Sequence, residues 1–258
     1  MALGVIISPA KKMNVVEGPP YVTALPRHVQ RSQELLGRLQ SLPYDEAKAL
    51  WRCSDRLARL NFERLRTMDL ARDLTAAVLA YEGIQYQHLA ASVLDEDGLD
   101  WIDAHLSILS GLYGVLRPFD GVVPYRLEIQ ARLATPATDG RPATSDLYGF
   151  WGDTLARTLA EAFDLVVNVA SVEYAKAVTP YLPSLGVHVI TCLFGTVRST
   201  DGKLLQRSTE AKAARGTFVR WCAERGVTDR DQLREFADRG YHLDKSRSDQ
   251  DTLVFVRG

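Results

Sequence analysis

The residues best suited to chemistry in this chain are arginines, lysines, tyrosines and acids set at the edges of apolar segments, and they are densest between Leu109 and Glu128. That stretch reads Leu-Ser-Gly-Leu-Tyr-Gly-Val-Leu-Arg-Pro-Phe-Asp-Gly-Val-Val-Pro-Tyr-Arg-Leu-Glu. Arg117 and Arg126 have the planar, five-donor head that clamps a carboxylate or phosphate with two parallel hydrogen bonds. Tyr113, Tyr125 and, further on, Tyr174 are hydrogen-bond donors or stacking surfaces for a base. Asp120, Glu128, Asp153 and Glu173 are acid/base candidates, and they are equally suited to pairing those arginines in a network that needs no ligand. Residue types alone leave both readings open.

The segment cannot be one long helix, because Pro118 and Pro124 lack the amide donor and Gly111, Gly114 and Gly121 carry a high backbone entropy cost. It is not a hydrophilic loop either. Its charges alternate with Leu112, Val115, Leu116, Phe119, Val122, Val123 and Leu127, and charges embedded in apolar surroundings must be paired or bind something. The expectation is that Ser110 to Glu128 forms one wall of a single cleft with Arg117 and Arg126 facing in.

The elements that must position these groups read as a mixed α/β (α+β) chain. Gly4–Ile7 is a short apolar run ended by Ser8-Pro9, a buried strand with Lys11 and Lys12 just beyond it. Residues 26–42, 43–51 and 54–68 predict three helices, a group that could stand as a subdomain of one 258-residue domain. Residues 76–81 read as a strand, and residues 100–106 as a helix. Residues 136–145 are a polar loop rich in Thr, Pro and Ala. Tyr148-Gly-Phe-Trp-Gly-Asp153 opens a helix to about Phe163. Residues 164–170 and 187–194 are buried strands, the second running into an Asp201-Gly202 turn. Residues 210–225 predict a helix. Thr228 and Asp231 suggest a capping box for another helix to about Phe236, and residues 241–243 with 252–257 suggest a closing hairpin. Regular βαβ alternation, internal repeats and a convincing linker are all missing from the pattern.

Composition narrows the function classes. The chain has 258 residues, is 46% hydrophobic and 24% charged, and carries a net charge of −1, so no global field draws it to nucleic acid or membrane. Local fields remain. Arg52 to Arg66 holds five arginines against Asp55 and Glu63, with Arg52, Arg56 and Arg59 expected on one face, and Lys203 to Arg220 holds five cations against Glu210. The apolar runs fall well short of the roughly 20 residues that span a bilayer, and the N-terminus lacks the basic region and cleavage site of a signal peptide. Cys53, Cys192 and Cys222 are odd in number and widely spaced, which fits reduced thiols in a cytoplasm rather than a disulfide framework. Neither dinucleotide nor P-loop glycine motifs occur, the five histidines never stand at metal-ligand spacing, and no serine has a nucleophile-elbow context. No metal and no cofactor are therefore expected.

Taken in order, several stretches resemble the bacterial YaaA peroxide-stress proteins. They are Ile7-Ser-Pro-Ala-Lys11, Ser54-Asp-Arg-Leu-Ala58 with Asn61, Leu109 to Pro118, Pro124-Tyr-Arg-Leu-Glu128, Phe150-Trp-Gly-Asp153 and Asn168-Val-Ala-Ser171 followed by Glu173-Tyr174 and Lys176. Lys212 with Ala214-Arg-Gly216, then Gly240-Tyr241 and Leu253 to Arg257, continue the match. The resemblance implies a cytoplasmic protein with a compact mixed α/β fold and a positively charged cleft. It also implies a link to hydrogen peroxide resistance, to limitation of free intracellular iron, and to DNA binding through the cleft and a helix-hairpin-helix-like element. Carried over to matching positions, Lys11, Arg117, Arg126, Lys176, Lys212 and Arg215 would line that cleft. The chain departs from the family pattern at Gly83-Ile-Gln-Tyr86, where an acid usually stands at the Ile84 position. It departs again at Ala213, where a second lysine can occur, and at Arg56, where lysine is common.

Two function classes follow. One is a stress protein binding DNA or another polyanion, supported by the local basic clusters and opposed by the net charge. The other is an enzyme acting on a small anionic or nucleotide-like molecule. It is motivated by acids and tyrosines that backbone binding does not need, with Tyr113, Asp120, Asp153, Tyr174 and Lys176 as the catalytic candidates. A third reading, a structural or interaction protein, would have these networks simply hold an irregular fold.

Overall fold

The computed structural model describes residues 2–138 and 140–258. In chain order the strands are β1 (Leu3–Ile7), β2 (Lys12–Met13), β3 (Thr75–Ala76), β4 (Tyr81–Glu82), β5 (Leu106–Ser110) and β6 (Gly114–Leu116). They continue as β7 (Gly121–Val122), β8 (Leu165–Asn168), β9 (His188–Val197), β10 (Leu204–Leu205), β11 (Tyr241–Leu243) and β12 (Thr252–Arg257). The helices are α1 (Val29–Gln40), α2 (Tyr44–Trp51), α3 (Asp55–Arg66), α4 (Ala77–Ala80), α5 (Ile84–Leu89), α6 (Glu96–His105), α7 (Leu147–Trp151), α8 (Thr154–Ala160), α9 (Val172–Ala175) and α10 (Ser208–Glu224).

Strands β1, β5 and β8 are mostly apolar with every residue buried, Ser107, Ser110 and Asn168 included, the pattern of strands covered on both faces. They sit inside one sheet ordered β11-β12-β9-β8-β1-β5-β6, with β10 paired to β9. Neighbours from β12 through β5 run parallel, while β11 and β6 join antiparallel at the two edges. The five parallel strands occur in the chain as β1, β5, β8, β9 and β12, so the direction of winding reverses between β1 and β8. In open parallel sheets that reversal leaves a crevice at the carboxyl ends of the two strands, where ligands bind. Here those ends are Ile7-Ser8 and Asn168.

The mixed α/β character expected from the sequence holds, but the parallel core is more regular than the pattern suggested. The β1-to-β5 connection holds six helices, the β2–β4 pairing and the strand β3, which pairs with the later β7, and that insertion obscures the alternation. Other local expectations also change. Residues 76–81 split into β3, the helical turn α4 and β4, because Ala76 bonds to β7 and the next four residues turn away. The helix predicted from Tyr148 to Phe163 breaks at Gly152, whose φ of +51° separates α7 from α8. Arg52 terminates α2 in the left-handed region at φ 45°, so it does not share the α3 face with Arg56 and Arg59. Near Thr228 the Gln232 side chain, not Asp231, accepts the Thr228 and Asp229 amides, and only a short 3-10 turn follows.

Apolar side chains from α1–α3, among them Leu35, Trp51 and Leu65, belong to the same contiguous cluster as the sheet. Helix α1 reaches it through Ser32, Leu35, Leu36 and Leu39, a one-sided helical stripe. Helix α10 packs across α5 at the closest range the backbone permits. A Cβ on Gly216 would lie 2.0 Å from the Gln85 carbonyl oxygen. Between α1 and α8, His28 is held by the Thr158 hydroxyl at 2.9 Å and packs edge-on against Trp151. Burial first, then the Arg27 and Arg31 charges, hold its pKa below the ordinary 6.5. His88, beside Arg239, is shifted down for the same reasons.

Two outcomes follow from this packing. Gly216→Ala is expected to destabilise the protein by about 3 kcal/mol in urea unfolding through backbone overlap. If helix propensity alone governed the site, the substitution would instead stabilise by about 1 kcal/mol. For the histidines, the folded chain binds fewer protons than the unfolded chain once pH falls below the unfolded value. Stability is therefore complete above pH about 6.5 and declines as pH drops from there toward the folded pKa. A His28→Gln, His88→Gln double variant should show a shallower fall in Tm between about pH 7 and 5.5; a slope equal to the parent's would contradict this.

Candidate functional site

The central segment is shaped by an approach that only glycine allows. A Cβ on Gly111 would lie 2.4 Å from the Leu127 carbonyl oxygen, so the start and end of the segment touch backbone to backbone. That contact brings Ser110, the last residue of β5, within 2.7 Å of the Tyr125 hydroxyl, and the Tyr125 hydroxyl lies 2.9 Å from that of Tyr81. The Tyr113 amide donates to Ser110 Oγ at 2.9 Å, and the Tyr113 hydroxyl accepts the Val123 amide at 3.1 Å. Burial pushes the Tyr125 phenol up to about 12 and the Tyr113 phenol higher. These groups are neutral donors and acceptors that hold the segment's shape, and Tyr113 has its hydroxyl spent on the backbone.

Arg117 and Asp120 form a self-contained pair. Asp120 is 1% exposed and accepts the Arg117 amide at 2.9 Å and its guanidinium at 3.1 and 3.2 Å. Burial raises the Asp120 carboxyl and the neighbouring arginine opposes that rise. The Arg117 side chain stays 59% exposed and serves the turn rather than a cavity.

Arg126 is placed differently. Its side chain is only 12% exposed, and its buried Nε has no hydrogen-bond acceptor. With Lys11, Arg52, Arg132, Glu46 and Glu128 it lines a groove of about 390 Å³ between α2 and residues 126–132. Glu128 Oε1 stands 3.0 Å from Lys11 Nζ and 3.8 Å from Arg126 Nη2. One carboxylate thus serves two cations.

The crevice between β1 and β8 supplies the adjoining side chains. The Ser8 carbonyl accepts from Tyr86 Oη at 3.0 Å and Gln85 Nε2 at 3.2 Å, and Ser8 Oγ accepts the Ser171 amide at 2.7 Å. Asn168 Oδ1 accepts the Ala170 amide at 3.0 Å. These bonds fix the two loops that carry Lys11 on one side and Glu173, Tyr174 and Lys176 on the other. The Glu173 carboxyl is held below its ordinary value by its own amide and the Ser171 hydroxyl, and then by the charges of Arg215 and Lys11. Arg215, on α10, is mostly desolvated, which lowers its pKa, and its Nε is a second buried donor without an acceptor. Burial raises the Tyr174 phenol well above its ordinary value, beside the Ile129 amide and Glu128.

The structure therefore gathers Lys11, Arg126, Tyr174 and Arg215 with Glu128 and Glu173 at the β1/β8 crevice. Lys176 stands at its rim, its ammonium 5.0 Å from the Tyr148 ring, and the Tyr148 hydroxyl bonds the Glu173 carbonyl. Lys212 is exposed on α10, one turn before Arg215. Arg117, Asp120 and Tyr113 belong to the internal bracing. Asp153 lines a separate pocket and is engaged by Arg157 at 2.6 Å. Arg132 is a groove residue that the sequence reading did not single out, and Arg52 is one that it assigned to a different place. Arg52 had been placed on a helix face, whereas its left-handed cap turns it toward the groove, and Arg132 lay just past the stretch under attention. Among the described residues no group of three or more His, Cys, Asp or Glu side chains is arranged to hold a metal, and no helix is long and apolar enough to cross a membrane.

Residues 3–247 match the family model described as peroxide stress protein YaaA. A UPF0246 protein of Desulfitobacterium hafniense is 42% identical over 253 residues, covering 98% of this chain and 97% of the relative. A UPF0246 protein of Lactiplantibacillus plantarum is 44% identical over 252 residues, covering 98% of each. Since the match runs over nearly the whole chain, the chain belongs to the YaaA peroxide stress protein family.

Proposed function

We propose that this protein works in the cytoplasm, in the response to peroxide stress, by binding a small anionic molecule in the groove between α2 and residues 126–132. The observation that carries the reading is Arg126. A nearly buried guanidinium with an orphaned Nε–H is costly unless something accepts it, and among the described residues the one carboxylate within ion-pair distance of it, Glu128, is shared with Lys11. A carboxylate or phosphate small enough to enter the groove satisfies that donor. Duplex DNA, whose phosphates lie on a broad outer surface, meets exposed cations first. The DNA or polyanion reading rests instead on exposed Lys11, Lys176 and Lys212 and on the local basic run from Lys203 to Arg220. Should the bound anion be a substrate, Tyr174 is a neutral donor at the crevice, and Glu173, held ionised, is an acceptor.

Calorimetric titration of pyrophosphate and of a short DNA duplex separates the two. Pyrophosphate should saturate one site, and Lys11→Ala and Arg126→Gln should each weaken it by roughly tenfold, the worth of one charge-assisted hydrogen bond. Circular dichroism controls for folding, and the exposed Lys11 keeps the test informative if Arg126→Gln unfolds. The reading fails if no small anion saturates. It is replaced by the polyanion reading if the duplex binds with a log–log salt slope of roughly −0.9 per phosphate and loses affinity in Lys212→Ala plus Arg215→Ala.

Membership in a peroxide-linked family directs attention to the thiols. Cys192 and Cys222 are buried, and burial pushes both well above the ordinary thiol range, so neither offers the thiolate that attacks a peroxide oxygen. Cys53 is partly exposed. Iodoacetamide labelling of the native protein should modify Cys53 alone, with all three labelled in denaturant. Rapid native labelling of Cys192 or Cys222 would contradict this assignment.

A further inference from the structure

The second pocket, where Asp153 lies, has its own chemistry. It encloses about 420 Å³ between α1 on one side and residues 135–138 and 141–144 on the other, with Phe150, Trp151 and Gly152 as its floor. Helix α1 presents Arg31, Glu34 and Arg38 along one edge, and Arg141 reaches in from the opposite loop. The Glu34 carboxylate is taken by Arg141, whose Nη2 lies 2.7 and 2.6 Å from its two oxygens, and the Asp153 carboxylate is taken by Arg157. Arg31 donates only to neutral acceptors, the Thr154 hydroxyl at 2.7 Å and the Phe150 carbonyl. Arg38 likewise meets only the Ala134 carbonyl at 3.0 Å and the Ser41 hydroxyl at 2.9 Å. Among the described residues, two guanidinium groups therefore border this pocket without a carboxylate of their own.

Arg31 has the strongest claim on an incoming group. Its guanidinium carbon stands 4.6 Å from the Phe150 ring centre and 4.9 Å from that of Trp151, which fixes the planar head against aromatic surface. Its buried Nε has no acceptor, and burial first, then the nearby Arg141 charge, lowers its pKa, with the Glu34 charge opposing. The remaining lining sets the apolar faces of Pro136, Pro142, Phe150 and Trp151 among the threonines Thr135, Thr138, Thr144 and Thr154 and the Arg157-bound Asp153. Cavities of this size and makeup hold small molecules with an apolar body and one oriented polar group, and arginine recognises that group best when it is a carboxylate or phosphate.

We infer that this pocket is a second ligand site, distinct from the Arg126 groove, for a small organic anion that combines an aromatic or apolar ring with a single carboxylate or phosphate. The anionic end pairs with Arg31 and Arg38, and the ring lies over the Pro136–Phe150 side. Neither an inorganic anion nor a neutral ring satisfies both halves of the pocket.

Titration calorimetry on the full chain tests this with phenyl phosphate and benzoate as probes and with inorganic phosphate and phenol as their stripped counterparts. Phenyl phosphate or benzoate should saturate one site at least tenfold more tightly than phenol or inorganic phosphate, about 1.4 kcal/mol or more. Arg38→Ala and Arg141→Ala should each weaken that binding severalfold, with folding checked by circular dichroism, whereas Lys11→Ala should leave it unchanged. Since Arg38 and Arg141 are surface-accessible at their tips, at least one of these variants is expected to fold. The inference is overturned if neither probe saturates, if the stripped counterparts bind as well, or if Arg38→Ala and Arg141→Ala bind like the parent. It is also overturned if Lys11→Ala abolishes binding, which would move the ligand to the other groove.

Discussion

The arrangement at the crevice depends on the backbone contact between Gly111 and Leu127. Any side chain at Gly111 would overlap the Leu127 carbonyl oxygen. With hydrogen there, the segment doubles back on itself and the Ser110–Tyr125–Tyr81 hydroxyl chain closes beneath it. Tyr125 is then fixed inward, and the neighbouring Arg126 lines the groove. The Trp151 indole donates to the Gly111 carbonyl at 3.1 Å, tying the same point to the aromatic floor of the second pocket. One close approach thus positions two sites on opposite sides of the segment.

Electrostatics then divides the arginines into three kinds. Arg117, Arg141 and Arg157 have carboxylate partners and act as braces. Arg126 shares an acid at long range and retains a buried orphan donor. Arg31, Arg38 and Arg215 have no carboxylate within ion-pair distance among the described residues, and Arg31 and Arg215 also retain buried orphan donors. Braced arginines contribute shape, while incompletely satisfied ones are costly in the empty protein and favourable when an anion arrives. The net charge near zero is consistent with this division, because binding by a few pre-placed guanidinium groups requires no basic surface.

How much of this was legible in the sequence follows from which signals are local. Continuous apolar runs marked β1, β8 and β9, and one-sided stripes marked α1 and α3. The irregular central segment announced itself through glycines and prolines among charges. The parallel order of the sheet was hidden by the long insertion between β1 and β5, since strand pairing across about a hundred residues leaves no periodic trace. At the site, the residue types at Lys11, Arg126, Tyr174 and Arg215 were visible. Whether an arginine meets an acid three residues away, as Arg117 meets Asp120, or points into a groove, as Arg126 does, is decided by tertiary contacts. Arg31 and Arg38 carry no sequence signal for the same reason: they read as polar positions of an amphipathic helix, and only the fold of residues 135–138 and 141–154 turns that face into a pocket.

The central claim is that the Arg126 donor is held in reserve for a small anion. Arginine Nε–H correlation spectra of the 15N-labelled protein test it directly during addition of pyrophosphate. The account predicts that the Arg126 Nε–H resonance shifts progressively and saturates, while the Asp120-bound Arg117 signal stays in place. A saturating titration that leaves Arg126 unmoved, or a response confined to exposed cations, would contradict it.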